Sequence, residues 1–308
     1  MEFKDLENLH QSYKKKVQKN IWIGVAVAVF FSFVTLISSG YYSLPVFLFC
    51  VFTIGMIVTI FTLIFTVILT QKDAKAYRSA YKAYFVEKAL RNTFTELSYN
   101  HEAGLSESVL LDSQMVNTGD RYSSNDLTTG KYKDVSFTQA DVHIETESTD
   151  SDGNTTYVTI FRGRFMIFEF PKKFNFRLEV VEKGFGASRV PKKDPVTKRK
   201  FERIKLESGE FNSAFRTYAE DGFEAFYLLD PAFINNTLTL AEQHKGKILL
   251  GFIDNKLLIG LKDGKDAFEP PSVFKELNEA TETAKIANDI HLVTNFIDVL
   301  KLNNKLFK

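Results

Sequence analysis

The sequence lacks ionisable side chains over a long internal stretch. Between Lys19 and Lys72 there is no Asp, Glu, Lys, Arg or His, although charged residues make up 25% of the chain. Apolar residues dominate two runs in this stretch, 21–38 and 45–69. About 20 apolar residues are enough for a helix to cross a hydrocarbon core of about 30 Å, and lipid leaves the backbone no hydrogen-bonding partner outside a helix. The pattern therefore predicts a two-helix transmembrane hairpin at 21–70.

Cysteine is nearly absent as well. Cys50 is the single cysteine, and it lies inside the second apolar run. One cysteine cannot form an internal disulfide, so nothing here requires an oxidising compartment. Because an apolar environment disfavours the thiolate, Cys50 is not expected to act as a catalytic thiol.

Positive charge flanks the uncharged stretch on both sides, while the turn at 39–44 carries none. The positive-inside rule then places both termini in the cytoplasm, as in a multi-pass protein of the inner (plasma) membrane. A cleaved signal peptide is the alternative, but the second run follows almost at once without a small-x-small cleavage site. We expect the flanking side chains to contact anionic headgroups: Lys14, Lys15, Lys16 and Lys19 before the stretch, and Lys72, Lys75, Arg78 and Lys82 after it.

Motifs for nucleotide binding, serine hydrolysis and zinc proteolysis are missing. The five histidines are scattered through the chain, and no cysteine supports them as zinc ligands. The net charge of +1 does not favour a nucleic-acid partner. The sequence therefore predicts no cofactor, no metal and no nucleic-acid partner, and it does not favour an enzyme.

One concentrated acidic cluster stands beside an apolar helical run, at Glu220, Asp221 and Glu224. Paired carboxylates can act as acid and base or hold a metal, so the cluster is a candidate acidic site. Helix capping is the competing and favoured interpretation, since an Asp at the N-cap and a Glu three residues later stabilise a helix start.

A basic segment lies at 184–200, with prolines that break regular structure. One interpretation is a loop exposed to water. The more specific alternative is a second contact with anionic lipid. Its candidate lipid-contact residues are Arg189, Lys192, Lys193, Lys198, Arg199 and Lys200.

Beyond the membrane hairpin the residue patterns predict an α+β fold with antiparallel sheet. A helix is expected from 72 to about 100, a short one capped by Ser106, and alternating strands from 134 onward. Asp221 and Asp230 are predicted to cap two helices, and a long C-terminal helix covers about 272–302. The predicted organisation is a cytosolic N-terminal segment (1–20), the hairpin (21–38 and 45–69), a juxtamembrane helical segment (71–116) and a cytosolic α+β domain (117–308).

Several strings in the later part of the chain carry a family resemblance. The sequence resembles a bacterial family of uncharacterised membrane proteins known only as a domain of unknown function. The resemblance implies an N-terminal membrane hairpin before a mixed domain, and no reaction or catalytic residue. The strings that carry it are 120–127 with 130–131, 161–165, 211–212, 215 with 218–221, 224–231, 252–257 and 268–270.

Three functions fit these observations. The first is a membrane-anchored cytosolic module, scaffold or regulator, that contacts membrane lipids and binds a protein partner or a second copy of itself. The second is a membrane-associated, hydrolase-like enzyme that uses the Asp221 and Glu224 region. The third is a channel or transporter subunit built from hairpins, which the absence of mid-membrane charge disfavours.

Overall fold

The computed structural model describes residues 1–41, 45–193 and 198–303, and their side chains except at 34–52, 63 and 67. Residues 42–44 of the predicted turn, the side chain of Cys50 and residues 194–197 of the basic segment lie outside the described residues. The chain forms two compact units. Unit 1 comprises Met1–Val86 and Glu269–Thr283, and unit 2 comprises Glu87–Phe268 and Ala284–Lys308.

Unit 1 is built on two long helices, α1 (Phe3–Tyr41) and α2 (Pro45–Tyr81). They approach closely at Gly55, where an added Cβ would lie 2.8 Å from the Cβ of Phe31. Small residues permit this kind of close helix contact. Nearer the N-terminus, Lys16 Nζ lies 2.6 Å from Asp73 Oδ1.

Helix α1 begins earlier than the sequence predicted. The expected arrangement was a separate segment at 1–20 and a helix starting at 21, whereas α1 is one uninterrupted helix from Phe3. Leu6 and His10, one turn apart, are both fully buried, and the ring of His10 lies 5.1 Å from that of Tyr77. Packing against α2 thus continues the helix where sequence hydropathy gives no signal.

Among the described residues, one helical stretch is long and apolar enough to cross a membrane, judged by length and composition. This stretch is Thr53–Thr93. Its apolar side chains point outward, with Phe61 68% exposed and Phe65 60% exposed. An apolar surface of this extent marks a place of contact with lipid or protein.

Ion pairs and a hydrogen bond join the C-terminal end of α2 and the turn after it to the segment 269–283. Helix α2 runs into a π-helical turn, Lys82–Glu87. Glu269 Oε1 lies 2.9 Å from the buried Lys82 ammonium, and its Oε2 lies 3.1 Å from Arg78 Nε. The Tyr81 hydroxyl donates a 2.6 Å hydrogen bond to Glu282. Tyr77 and Tyr81, one turn apart, are both buried, so this side of α2 is a packing face.

Unit 2 contains a nine-stranded antiparallel sheet in the described part of the chain, in the order β1-β2-β3-β4-β9-β8-β5-β7-β6. The strands are β1 (Thr95–Asn100), β2 (Arg121–Tyr132), β3 (Val135–Thr149), β4 (Thr155–Glu169), β5 (Leu178–Glu182), β6 (Glu202–Ile204), β7 (Phe215–Ala219), β8 (Lys247–Ile253) and β9 (Lys256–Lys262).

Six further helices complete the described chain. The last one confirms the predicted C-terminal helix, although it begins later than expected, and its apolar stripe from Ile286 to Leu300 is buried. The helices are α3 (Lys88–Thr93), α4 (Glu107–Ser113), α5 (Gly209–Ala214), α6 (Gly222–Leu228), α7 (Pro231–Gln243) and α8 (Glu279–Val299).

The sheet of unit 2 is covered on both faces. One face carries the main apolar cluster, in which Phe165, Val142 and Leu249 pack with Leu110 of α4. Successive residues of a strand point to opposite faces, so Arg164 lies on the other face, where its Nη1 donates to the main-chain oxygen of Asp289 on α8.

Two regions of the sheet differ from the sequence prediction. Residues 95–100 were expected to extend a helix, but they form β1 and pair with β2. The sequence predicted no strand at 121–132, where β2 lies. Long-range pairing determines both, because the residues themselves include Asn, Ser, Asp and Gly, which are poor strand formers.

Candidate functional site

Helix α6 exposes an unusual number of aromatic side chains. Phe223 is 82% exposed, Tyr227 62% and Phe226 48%, while Ala225 and Leu228 of the same seven-residue helix are buried. The N-cap is Asp221, which accepts hydrogen bonds from the main-chain nitrogens of Phe223 and Glu224, as the sequence predicted. The cap fixes a short helix whose outer surface is apolar.

A groove of about 550 Å³ runs beside α6. Its apolar wall comes from the end of α6 and the start of α7, where Asp230 caps the helix through a 2.7 Å bond from Phe233 N. The opposite wall, 206–208, is held by Asn212, whose Oδ1 accepts from Leu206 N at 3.1 Å. The groove is lined by Leu206, Glu207, Ser208, Phe226, Leu229, Pro231, Ile234 and Asn235. We call this feature the helical groove.

Two carboxylates stand at the helical groove, in a stretch of the chain that is rich in acidic residues. Glu207 lines it, and Asp230 stands exposed between the lining residues Leu229 and Pro231. Within 205–235 the sequence has six carboxylates against two basic residues, Lys205 and Arg216. The carboxylates are Glu207, Glu210, Glu220, Asp221, Glu224 and Asp230. A cationic and partly apolar partner is therefore the electrostatic complement of this region.

The opposite flank of α6 carries positive charge. Lys172 and Lys173 line a smaller cleft of about 110 Å³ together with Glu224 and Tyr227. The Lys172 ammonium lies 5.6 Å from the centre of the Tyr227 ring, within the range of a cation–π contact. The charge thus changes sign across α6.

The predicted acidic residues have separate structural contacts. Asp221 caps α6, while Glu220 Oε2 accepts from Arg177 N at 3.3 Å. Glu224 lines the small cleft. The catalytic role considered for Asp221 and Glu224 stays a prediction that no contact in the described residues favours.

The predicted headgroup contacts meet different surroundings. Lys82 is buried against Glu269, so it is not available to a headgroup in this structure. Arg78 also pairs with Glu269, and Lys16 pairs with Asp73. The side chains of Lys16 and Arg78 are nevertheless more than half exposed, at 54% and 57%. Contact with lipid stays a prediction for these two and for Lys14, Lys15, Lys19, Lys72, Lys75, Arg189, Lys192, Lys193, Lys198, Arg199 and Lys200.

A buried carboxylate cluster that sequence reasoning missed lies on the sheet face under α8. Among the described residues, Asp126, Asp141 and Asp266 form the one such group whose carboxylate oxygens lie close enough to hold a metal, within 4.8 Å of one another. Asn125 Nδ2 donates to Asp126 at 2.8 Å and to Asp266 at 3.1 Å. Tyr99 donates a 2.6 Å bond to Asp126.

Protonation and an arginine offset the charge of this cluster. Burial raises the pKa of Asp141 to about 8, against the lowering effect of Arg164, and the neighbouring Asp266 and Asp126 raise it further. The Oδ2 of Asp141 accepts a hydrogen bond from Ala267 N at 2.8 Å. The raised pKa of Asp141 favours its protonated carboxyl, which reduces the negative charge of the cluster, and the bond to Ala267 links the 263–268 loop to β3.

A second buried ionic pair lies on β5. Arg177 Nε donates to Glu179 Oε1 at 3.0 Å, and the same guanidinium bonds the main-chain oxygen of Ser113. Burial raises the pKa of Glu179 to about 7 even though Arg177 acts to lower it. The desolvation of this fully buried carboxylate thus outweighs the attraction of its partner.

Comparison with known proteins finds one matching family model, and that family has no known function. A family model described as "Protein of unknown function (DUF3137)" matches residues 159–302. A search of the curated proteins found no match. A solved structure described as the crystal structure of the mycobacterial trehalose monomycolate transport factor A, TtfA, aligns with a TM-score of 0.38 and 11% identity, over 73% of this chain and 94% of that chain. A similarity this low carries no argument about function.

Proposed function

We propose that this protein is a membrane-anchored binding module, in which unit 2 captures a basic, apolar segment of a partner protein in the helical groove. The observation that carries the proposal is the groove itself, an apolar-walled cleft of about 550 Å³ with exposed aromatics and two carboxylates beside it. The role is that of a scaffold or regulator.

The anchor is proposed to be the α1–α2 hairpin. Both helices carry an uncharged apolar run, and Trp22, 71% exposed, fits a membrane interface at the start of the first. The lysines before and after the runs support the proposal that both termini lie in the cytoplasm and that the protein is a multi-pass protein of the inner membrane. Unit 2 would then work at the cytoplasmic surface.

The groove's chemistry selects its occupant. Phe226, Leu229 and Ile234 offer apolar contact, and they would receive one apolar face of a peptide helix or turn. Glu207 and Asp230 would meet lysine or arginine side chains beside that face. An anionic lipid surface would be repelled by the same carboxylates, so we assign this groove to a protein segment.

Peptide binding by the full chain in detergent tests the proposal. The probe is a fluorescein-labelled amphipathic peptide with leucine on one face and lysine on the other, and its matched control has glutamate in place of lysine. We expect fluorescence anisotropy to show binding of the lysine peptide and much weaker binding of the glutamate peptide. Phe226→Ala should weaken binding on the order of tenfold, as for a central interface aromatic.

A matched variant distinguishes peptide binding in the helical groove from nonspecific binding to exposed apolar side chains. Leu111 on α4 is 45% exposed, close to the 48% of Phe226, but does not line the groove. Leu111→Ala should leave binding unchanged, and Glu207→Lys should weaken it. Equal binding of both peptides, or equal effects of Phe226→Ala and Leu111→Ala, would refute the assignment.

A further inference from the structure

Strands β3 and β4 extend beyond their neighbours in the sheet. The pairing of β2 with β3 ends where Arg121 faces Glu145, and the pairing of β9 with β4 begins where Arg164 faces Leu261. Just beyond these points Gly264 N still donates to Arg162 O at 3.0 Å and Asp120 N to Glu145 O at 2.8 Å, and from there to the turn at 150–154 the main-chain pairing of β3 and β4 is with each other among the described residues. We call residues 145–161 the arm.

The two edges of the arm differ. On the β3 side, the Asp120 carboxylate accepts from Glu147 N at 2.7 Å and from the Thr146 hydroxyl at 2.9 Å, so this edge is partly covered. On the β4 side, residues 155–161 have no main-chain partner beyond β3 in the part of the chain that the structure describes. Val158 is 49% exposed and Tyr157 38% exposed.

The open edge has the composition of a strand that pairs. Residues 155–161 read Thr-Thr-Tyr-Val-Thr-Ile-Phe, with no charge, Pro or Gly. Edge strands that stay unpaired are normally protected by charged residues or proline. The Arg121 guanidinium, 3.2 Å from the centre of the Tyr157 ring, supports the ring from one side and leaves the edge open.

We infer that this edge pairs with the same edge of a second copy, antiparallel and about a two-fold axis at Tyr157. This register places Thr155 opposite Thr159 and Thr156 opposite Val158. It also brings the turn that carries Asp152 in one copy toward Arg162 of the other, which lies just past the bulge at Ile160, twice per dimer. Both side chains are exposed, and neither has an ion-pair partner among the described residues.

The ends of the edge favour a second copy over an unrelated extended peptide. An antiparallel two-fold pairing brings the first end of one strand to the last end of its copy, so opposite charges at the two ends attract each other in the dimer. The acidic turn and Arg162 meet that condition, and the uncharged residues between them place no like charges opposite each other. The interface is separate from the helical groove.

Cysteine cross-linking of the full chain in detergent tests the register. In a Cys50→Ser background, Tyr157→Cys places its thiol at the two-fold axis, where opposed Cβ atoms lie about 4.5–5.5 Å apart. Ser148→Cys is the control on β3, three strand spacings or roughly 14 Å from its copy. Mild oxidation should give a disulfide-linked dimer with Tyr157→Cys and monomer with Ser148→Cys.

A charge swap tests the same contact without cysteine. Asp152→Arg alone and Arg162→Asp alone should each raise the dimer dissociation constant on the order of tenfold, because two exposed ion pairs become like-charged. The double variant Asp152→Arg with Arg162→Asp should restore dimerisation, measured by light scattering of serial dilutions. A monomeric wild-type chain, equal cross-linking at 148 and 157, or a double variant no better than the single ones would overturn the inference.

Discussion

The two units differ in the exposure of their apolar side chains. In unit 1 the middle of α2 turns its apolar residues outward, as with Phe61 at 68% exposure. In unit 2 residues of the same type, such as Phe165 and Phe161, are fully buried between a sheet and its covering helices. An exposed apolar surface of this extent marks a place of contact with lipid or protein, whereas the core of unit 2 is formed by exclusion of water.

Polar groups show the same contrast. In α2 the hydroxyls of Thr59 and Thr62 donate to main-chain oxygens four residues earlier in the same helix, each at 2.8 Å. In unit 2 the buried Asp141 is satisfied by Ala267, far away in sequence. These hydroxyls of α2 are satisfied within their own helix, whereas the buried carboxyl of unit 2 is satisfied through a long-range contact.

The largest effect should come from matched phenylalanine truncations. Phe165→Ala removes a fully buried ring and should lower the free energy of unfolding by about 3–5 kcal/mol. Phe61→Ala should leave it almost unchanged, since its ring packs on lipid or detergent. Urea unfolding of the full chain in detergent, followed by near-ultraviolet circular dichroism, measures both. Equal destabilisation by the two variants would show that Phe61 packs against protein, as Phe165 does.

A charge in the apolar run should have the next largest effect. Phe61→Asp places a carboxylate near the middle of the span, at a cost of about 2.5–3.5 kcal/mol for membrane insertion. We expect less of the chain to resist alkaline carbonate extraction of membranes. Leu111→Asp, an exposed position of unit 2, should leave the extracted fraction unchanged. A Phe61→Asp chain that is retained as well as wild type would contradict a lipid environment around α2.

The last comparison concerns pH. The pKa of Asp141 is raised to about 8 in the folded chain, above an unfolded value of about 4. Between these values the folded state holds the extra proton, so stability should fall as pH rises from about 5 to 8. We expect the melting temperature of the wild-type chain to fall over this pH range. Asp141→Asn should reduce that fall, while Asp112→Asn, at an exposed position, should not. An unchanged fall in Asp141→Asn would show that another group titrates.

Local sequence signals predicted several elements well. Strand β7 lies at Phe215–Ala219 as expected, and α7 begins after Asp230 with Pro231 in its first turn. Signals of this kind are carried by neighbouring residues, through alternation and capping. Strand β2 was missed because its stability comes from pairing with β1 and β3 rather than from its own composition.

The helical groove and the carboxylate cluster could be predicted only in fragments. The Asp221 cap was visible in the sequence, but the exposure of Phe226 was not, since an apolar residue in a short helix is normally expected to be buried. Asp126, Asp141 and Asp266 are distant in sequence and are brought together by the register of β2 and β3 and by the loop after β9.

By itself the sequence determined where the chain is apolar enough for lipid, and where many helices and strands begin, because both depend on composition and spacing along the chain. The tertiary structure decided which apolar residues remain exposed, which basic residues are already paired, as Lys82 is with Glu269, and which strand edge stays open. Those properties depend on contacts between distant residues, and a linear pattern does not contain them.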